Sequence, residues 1–264
     1  MTSTNTVEDN LRIWGEAYDW PKGGDEWSEP WGGPEGQWKT LLEPWVSRFL
    51  PTGSVLEIAP GYGRWTQFLV DRCDHLTVVD LAPNCIEYCR KRFANRKNIS
   101  YFVNDGRSLS MTPDRSIDFL FSFDSLVHAD ADTMHEYVRQ LARKMKPGAH
   151  GLIHHSNAAP YAPILRVGEL VSSRKIPRIS SLAARKLGRC WRALDMSAES
   201  MIAFLREAGM SCTSQKTFSI VDLAFPLDCV STFINQASDA VPIRKRIDLH
   251  AMLRERGPKT EDEH

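Results

Sequence analysis

Residues 55–66, Val-Leu-Glu-Ile-Ala-Pro-Gly-Tyr-Gly-Arg-Trp-Thr, constrain the fold more than any other stretch of the chain. Val55, Leu56 and Ile58 read as a strand buried on both faces, the pattern of a parallel sheet covered by helices. Gly61 and Gly63 follow at once, and glycine permits both a sharp turn and a close backbone approach to a ligand. A glycine-rich strand-to-helix turn serves many nucleotides and does not by itself choose among them. A second strand at residues 76–80, Leu-Thr-Val-Val-Asp, ends on an acid. Asp80 in that place can accept both hydroxyls of a ribose.

Beyond this unit, apolar runs and amphipathic stretches alternate. Helices are predicted over 38–50, 64–72, 83–93 and 132–146, and strands over 99–104, 117–123 and 151–155. Pro83 suits a first helical turn, and Met134, Tyr137, Val138, Leu141 and Met145 share one face of a later helix. Ser197 with Ser200 opens a helix that stops at Gly209, followed by strands at 211–220 and 228–234. Repeated β-then-α units specify an α/β fold with a doubly wound, mainly parallel sheet.

A dinucleotide fold fits less well. The third glycine of G-x-G-x-x-G falls at Thr66, and Glu57 beside the turn is a poor neighbour for a pyrophosphate but a good one for a cation. The order Glu57-x-Ala59-x-Gly61-x-Gly63, then Asp80, then Asn104-Asp105-Gly106 resembles the class I S-adenosylmethionine (AdoMet) methyltransferases, over roughly residues 40–236. Ala59 departs from the pattern, standing where the family has its first glycine. The resemblance implies a Rossmann-like sheet whose last strand runs antiparallel. It also implies roles: Glu57, Ala59, Gly61 and Gly63 at the methionine end of AdoMet, Asp80 at the ribose, Asp105 with Gly106 at the adenine amino group, and Phe123 flanking methionine and adenine.

Composition narrows the class further. The 264 residues carry 33 basic and 33 acidic side chains, so no global attraction to nucleic acid or to a membrane is built in. Six scattered cysteines form no C-x-x-C pair and read as reduced thiols. No signal peptide and no apolar run of membrane-spanning length is visible, and a cytoplasmic location is expected.

Two clusters carry the candidate chemistry: Phe123-Asp124-Ser-Leu-Val-His128 after the fourth strand, and His154-His155-Ser156-Asn157 at the end of the fifth. Neighbouring strands bring Asp124, His128 and either His155 or His154 to one rim. His128 resembles the histidine found after strand four in small-molecule methyltransferases. A hydroxyl acceptor is a poor nucleophile until its proton is taken, and histidine suits that task. Asp124, His128 and His155 also form a mixed oxygen and nitrogen set that a divalent cation such as Mg2+ would accept.

The flanking segments bear on the acceptor. Residues 1–40 form a tryptophan-rich cap, with Trp20, Trp27 and Trp31 among glycines and acids and without helical periodicity. Residues 41–240 read as the AdoMet-binding domain. Within it, residues 158–196 form an inserted basic helical lid, where Arg166, Arg174, Lys175, Arg178, Arg185, Lys186, Arg189 and Arg192 face a single acid, Glu169. Residues 241–264 form a charged tail expected to be solvated. Flat aromatic faces beside polar groups suit a sugar ring, and the cap together with the two histidine runs resembles bacterial saccharide O-methyltransferases. The expectation is an O-methyltransferase acting on a saccharide, including acidic or lipid-linked ones, with no nucleic acid. Two alternatives stay open: a methyltransferase without sugar preference, and a non-catalytic AdoMet-binding protein.

Overall fold

The computed structural model describes residues 5–173, 191–220 and 225–254. Among them, eight strands form one sheet: β1 Thr52–Ile58, β2 Cys73–Asp80, β3 Ile99–Val103, β4 Ile117–Ser122, β5 Met145–Ser156, β6 Ser211–Phe218, β7 Asp228–Ile234 and β8 Ile243–Arg246. Their order is β3-β2-β1-β4-β5-β7-β6-β8. Every neighbouring pair is parallel except those made by β7, which runs against both β5 and β6. The doubly wound, mainly parallel sheet expected from the sequence is therefore the one observed, with the reversed strand at 228–234. The order changes direction beside β1, where the chain leaves β3 and β2 on one side and β4 on the other; a doubly wound sheet binds ligands at such a point.

Helices cover both faces. On one side, Ala131–Lys144 and Ala198–Glu207 bury Met134, Val138, Leu141, Met201 and Leu205 against Leu56, Ile58, Ile153 and Phe233. The N-caps explain where these helices begin. Asp130 accepts from the Thr133 amide, and Ser197 from the Ser200 amide. On the other side, Trp38, Leu41, Leu42 and Val46 pack with Leu69 and Ile86 over Val55, Val78, Phe119 and Leu152. Fully burying each such large apolar side chain contributes about 1.5–3 kcal/mol.

Two stretches differ from the sequence reading, the first crossover and the residues after 240. The first crossover is a single α-turn, Thr66–Leu69, continued by the 3-10 turn Val70–Arg72, because the backbone is still turning at Gly63. The charged stretch after residue 240 is not simply solvated. Ile243–Arg246 adds β8 alongside β6, and the helix Leu249–Arg254 buries Leu249. Arg and Lys on an edge strand hide its strand character from a hydrophobicity pattern while leaving its backbone free to pair. Of the basic insertion, Ala162–Ser173 is a helix. Arg174, Lys175, Arg178, Arg185, Lys186 and Arg189 lie outside the described residues.

Gly151 of β5 stands opposite Phe233 of β7, and a Cβ there would fall into the Phe233 ring. Gly151→Val should therefore lower stability by about 1–3 kcal/mol through overpacking, read as a lower urea midpoint with an unchanged slope.

Candidate active site

The carboxyl ends of β1, β2 and β4 open onto a cavity of about 240 Å³. Its floor is the turn after β1. Ala59, Gly61 and Gly63 all have positive φ, at 57°, 57° and 85°. Glycine takes that region freely, whereas Ala59 is strained there. The Ala59 backbone is held on both sides: its amide donates to the Val79 carbonyl at 2.7 Å, and its carbonyl accepts from Ser125 Oγ at 2.6 Å.

Asp80 ends β2 at the cavity wall. Its carboxylate accepts from the Gly61 amide at 3.2 Å and the Ala82 amide at 2.9 Å, so it ties the glycine turn to the turn after β2. Burial pushes its pKa up to about 6, with the Ala82 and Gly61 amides pulling the other way.

Glu57 lies beneath the glycine turn and is not among the cavity-lining residues. Its Oε2 accepts from Thr66 Oγ1 at 2.6 Å, while Oε1 is buried without a hydrogen-bond partner. Burial raises its pKa to about 8, against the lowering effect of Thr66.

Asp105 does not line the cavity either. It is exposed, and its Oδ1 accepts from the Arg107 and Ser108 amides at 2.9 and 2.6 Å, capping its own turn. Its neighbour Gly106 does line the cavity, against the Val7 side chain.

The rim after β4 holds Phe123, Asp124 and His128, and all three line the cavity. Asp124 has φ 66° and pairs with Arg64 at 2.6 Å. Burial opposes its charge, yet the Arg64 guanidinium, with Arg192 further off, holds the carboxyl below the ordinary range. His128 Nδ1 meets the Trp191 carbonyl at 2.5 Å, so Nδ1 carries the proton and Nε2 is the free base. Burial, reinforced by the Arg192 charge, lowers its pKa to about 4.

The two histidines of β5 separate, because successive side chains on a strand point to opposite faces. His154 shares its face with Leu152 and sits fully buried behind Phe123, 4.6 Å between rings. Its Nδ1 accepts from the Asp124 amide at 3.1 Å, and its Nε2 donates to Asp228 at 3.2 Å. His155 points to the other face, bonded to the Ser156 carbonyl and to Ser231 Oγ, both at 2.8 Å. Neither lines the cavity. The metal set is thereby corrected: Asp124, His128 and His155 do not converge. Among the described residues, no group of three or more His, Cys, Asp or Glu is placed to hold a metal ion.

Asp228, Asn10, Tyr62 and Tyr88 also take part and were not singled out from the sequence. Asp228, fully buried at the start of β7, bonds both Arg192 Nε at 2.7 Å and His154. Burial works against its charge, but Arg192 and His154 hold its pKa far below the usual carboxylate range. Asn10 donates to the His128 carbonyl at 2.8 Å, tying the N-terminal segment to the rim. Above the turn, Trp20 stacks on Tyr62 at 4.4 Å and Tyr62 on Tyr88 at 3.9 Å. A Cβ added at Gly61 would lie 2.9 Å from the Trp20 ring. Trp14 stands 4.9 Å from the His128 ring and Trp27 stacks on Tyr18, so the segment forms an aromatic wall over the cavity.

With this geometry in view, parts of the chain are similar to several methyltransferases. Residues 55–148 match the family described as "Methyltransferase domain". Ribosomal RNA small subunit methyltransferase A of Coxiella burnetii is 33% identical over 67 residues, covering 25% of this chain and 26% of that protein. Nodulation protein S of Rhizobium tropici is 30% identical over 101 residues, covering 38% of this chain and 42% of that protein. The chain thus aligns with less than half the length of these relatives. Among solved structures, the N-methyltransferase NodS of Bradyrhizobium japonicum WM9, in complex with S-adenosyl-L-homocysteine (SAH), superposes with a TM-score of 0.55 at 18% identity, covering 88% of this chain and 98% of that one. The fold is the Rossmann-like fold of the methyltransferases. Among the described residues, no helix is long and apolar enough to cross a membrane.

Two outcomes follow. The Glu57 carboxyl binds its proton more tightly folded than unfolded, so its ionisation disfavours the fold. Stability should fall as pH rises from 4.5 towards about 8. Glu57→Gln should remove that slope from urea midpoints measured against pH. Asp228→Ala removes the fully buried carboxylate that His154 and the partly buried Arg192 share and should cost about 3–5 kcal/mol, measured by urea unfolding.

Proposed function

We propose that this chain is an AdoMet-dependent O-methyltransferase whose acceptor is a hydroxyl of a saccharide or glycoside. The residues fit AdoMet on two counts: a turn with Gly61 and Gly63 at positive φ, and the Asp80 carboxylate at the cavity wall. When bound, AdoMet supplies a methyl group on a cationic sulfur. Asp80 would hold the ribose and the glycine turn would take the methionine end, with Glu57 below bracing that turn through Thr66.

One observation carries the transferase reading: a neutral, anchored histidine faces a cavity walled by aromatic rings. Fixing Nδ1–H on the Trp191 carbonyl leaves His128 Nε2 to take a proton from an acceptor hydroxyl. The depressed pKa keeps that nitrogen unprotonated throughout the neutral range. Trp14, Trp20 and Trp27 offer flat faces for a sugar ring and exclude water from the transfer. Asp124 is engaged with Arg64 and with the His154-held backbone, which suits it to orienting an acceptor rather than to moving protons.

A nitrogen acceptor is the second reading, favoured by the likeness to NodS, described as an N-methyltransferase. Transfer of labelled methyl from AdoMet to neutral sugars and to amino sugars, analysed for the atom labelled, separates the two. Label confined to oxygen is expected, and it should survive EDTA. His128→Gln should lower kcat by about 10²–10⁴ while SAH affinity holds. The wild-type acid limb should lie near pH 4, where Nε2 becomes protonated, instead of near 6.5.

A further inference from the structure

The cavity reaches well beyond the place a cofactor fills. Asp80 ends β2 and Phe218 ends β6, and both line the same cavity. Strands β1, β4, β5 and β7 lie between them in the sheet. At about 4.8 Å per strand spacing, five steps separate the two ends by roughly 24 Å. An adenosine ligand anchored at Asp80 and the glycine turn covers the ends of β2, β1 and β4. The ends towards β6 are left for a second molecule.

That far end is built from residues outside the cofactor turns. Phe218 and Ile220 continue from β6, and Leu249, His250 and Leu253 come from the C-terminal helix. Its wall is apolar apart from two groups. Arg192 is bonded to Asp228. His250 has a buried Nε2 with no hydrogen-bond partner. A buried polar atom left unpaired is costly, and a ligand that reaches it removes that cost.

We propose that the end of the cavity between β6 and the helix Leu249–Arg254 is the acceptor's second subsite, and that it binds an apolar aryl or alkyl group borne by the sugar. This deepens, and rests on, the methyltransferase reading above. An unsubstituted sugar would set hydroxyls against Phe218, Leu249 and Leu253, where they find no partner. An aryl or alkyl group buries there favourably, and His250 Nε2 gains a hydrogen-bond partner in a sugar hydroxyl next to the linkage.

The test is a titration of the SAH-saturated protein with 1-anilinonaphthalene-8-sulfonate, followed by competition with octyl β-D-glucopyranoside and with glucose. One dye per chain is expected, released by the octyl glucoside and retained against glucose. Leu253→Glu should weaken dye binding at least tenfold with SAH affinity unchanged. Ile220→Glu, on a separate segment, should do the same if the helix variant does not fold. Release of the dye by SAH, equal competition by glucose, or unaltered dye affinity in both folded variants would overturn the proposal. If the chain bound no SAH, the cofactor reading would fall, and the same titration of the ligand-free protein would still decide the subsite.

Discussion

The buried carboxylate of Asp228 is the interaction on which the rest of the site depends. A charge with no solvent exposure is tolerated only when fully paired, and here an arginine and a histidine share it. Each partner leads to one side of the rim. Through His154, Asp228 fixes the amide of Asp124, a non-glycine residue kept at positive φ. Through Arg192, it pins the segment whose carbonyl, at Trp191, sets the tautomer of His128. Arg64 closes the arrangement from the other direction, bonding Asp124 and reaching Ser28 of the N-terminal segment at 3.4 Å. Two arginines and two aspartates balance, so the rim is rigid without being strongly charged.

The aromatic wall and this polar chain divide the work. Rings stack on rings from Trp20 through Tyr62 to Tyr88, and edge-on contacts join Trp14 to Tyr18 and Trp27. Such contacts exclude water but do not fix the direction of a proton. The hydrogen bonds at His128 and Asp124 fix direction but need a dry surrounding to be strong. Asn10 joins the two systems, since it belongs to the capping segment and holds the carbonyl of His128.

The fold was legible in the sequence because its signals are local. Apolar runs mark buried strands, Gly61 and Gly63 mark the turn, and Asp130 and Ser197 mark helix starts. Asp80 was legible for the same reason, as an acid ending an apolar strand. Asp105 also follows a strand, yet it is exposed and caps its own turn, and nothing in its spacing distinguishes that from a place at the cavity wall. His154 and His155 had to face opposite sides of β5, but only the pairing with β7 decides which side meets the rim. Asp228 begins a strand of small and apolar residues, and its partners are distant in sequence, so no motif could announce it. The edge strand Ile243–Arg246 was hidden by its charges.

The reversed strand β7 also sets the order in which the molecule can mature. Asp228 lies 74 residues after His154 and 36 after Arg192. Until β7 inserts between β5 and β6, the first five strands can pair among themselves, but Arg192 and His154 have not yet met Asp228. Contacts this far apart in the chain close late and slowly. A nascent chain ending before residue 228 would therefore hold a formed β1–β5 sheet and glycine turn with an unsupported rim, making site completion one of the last events of folding.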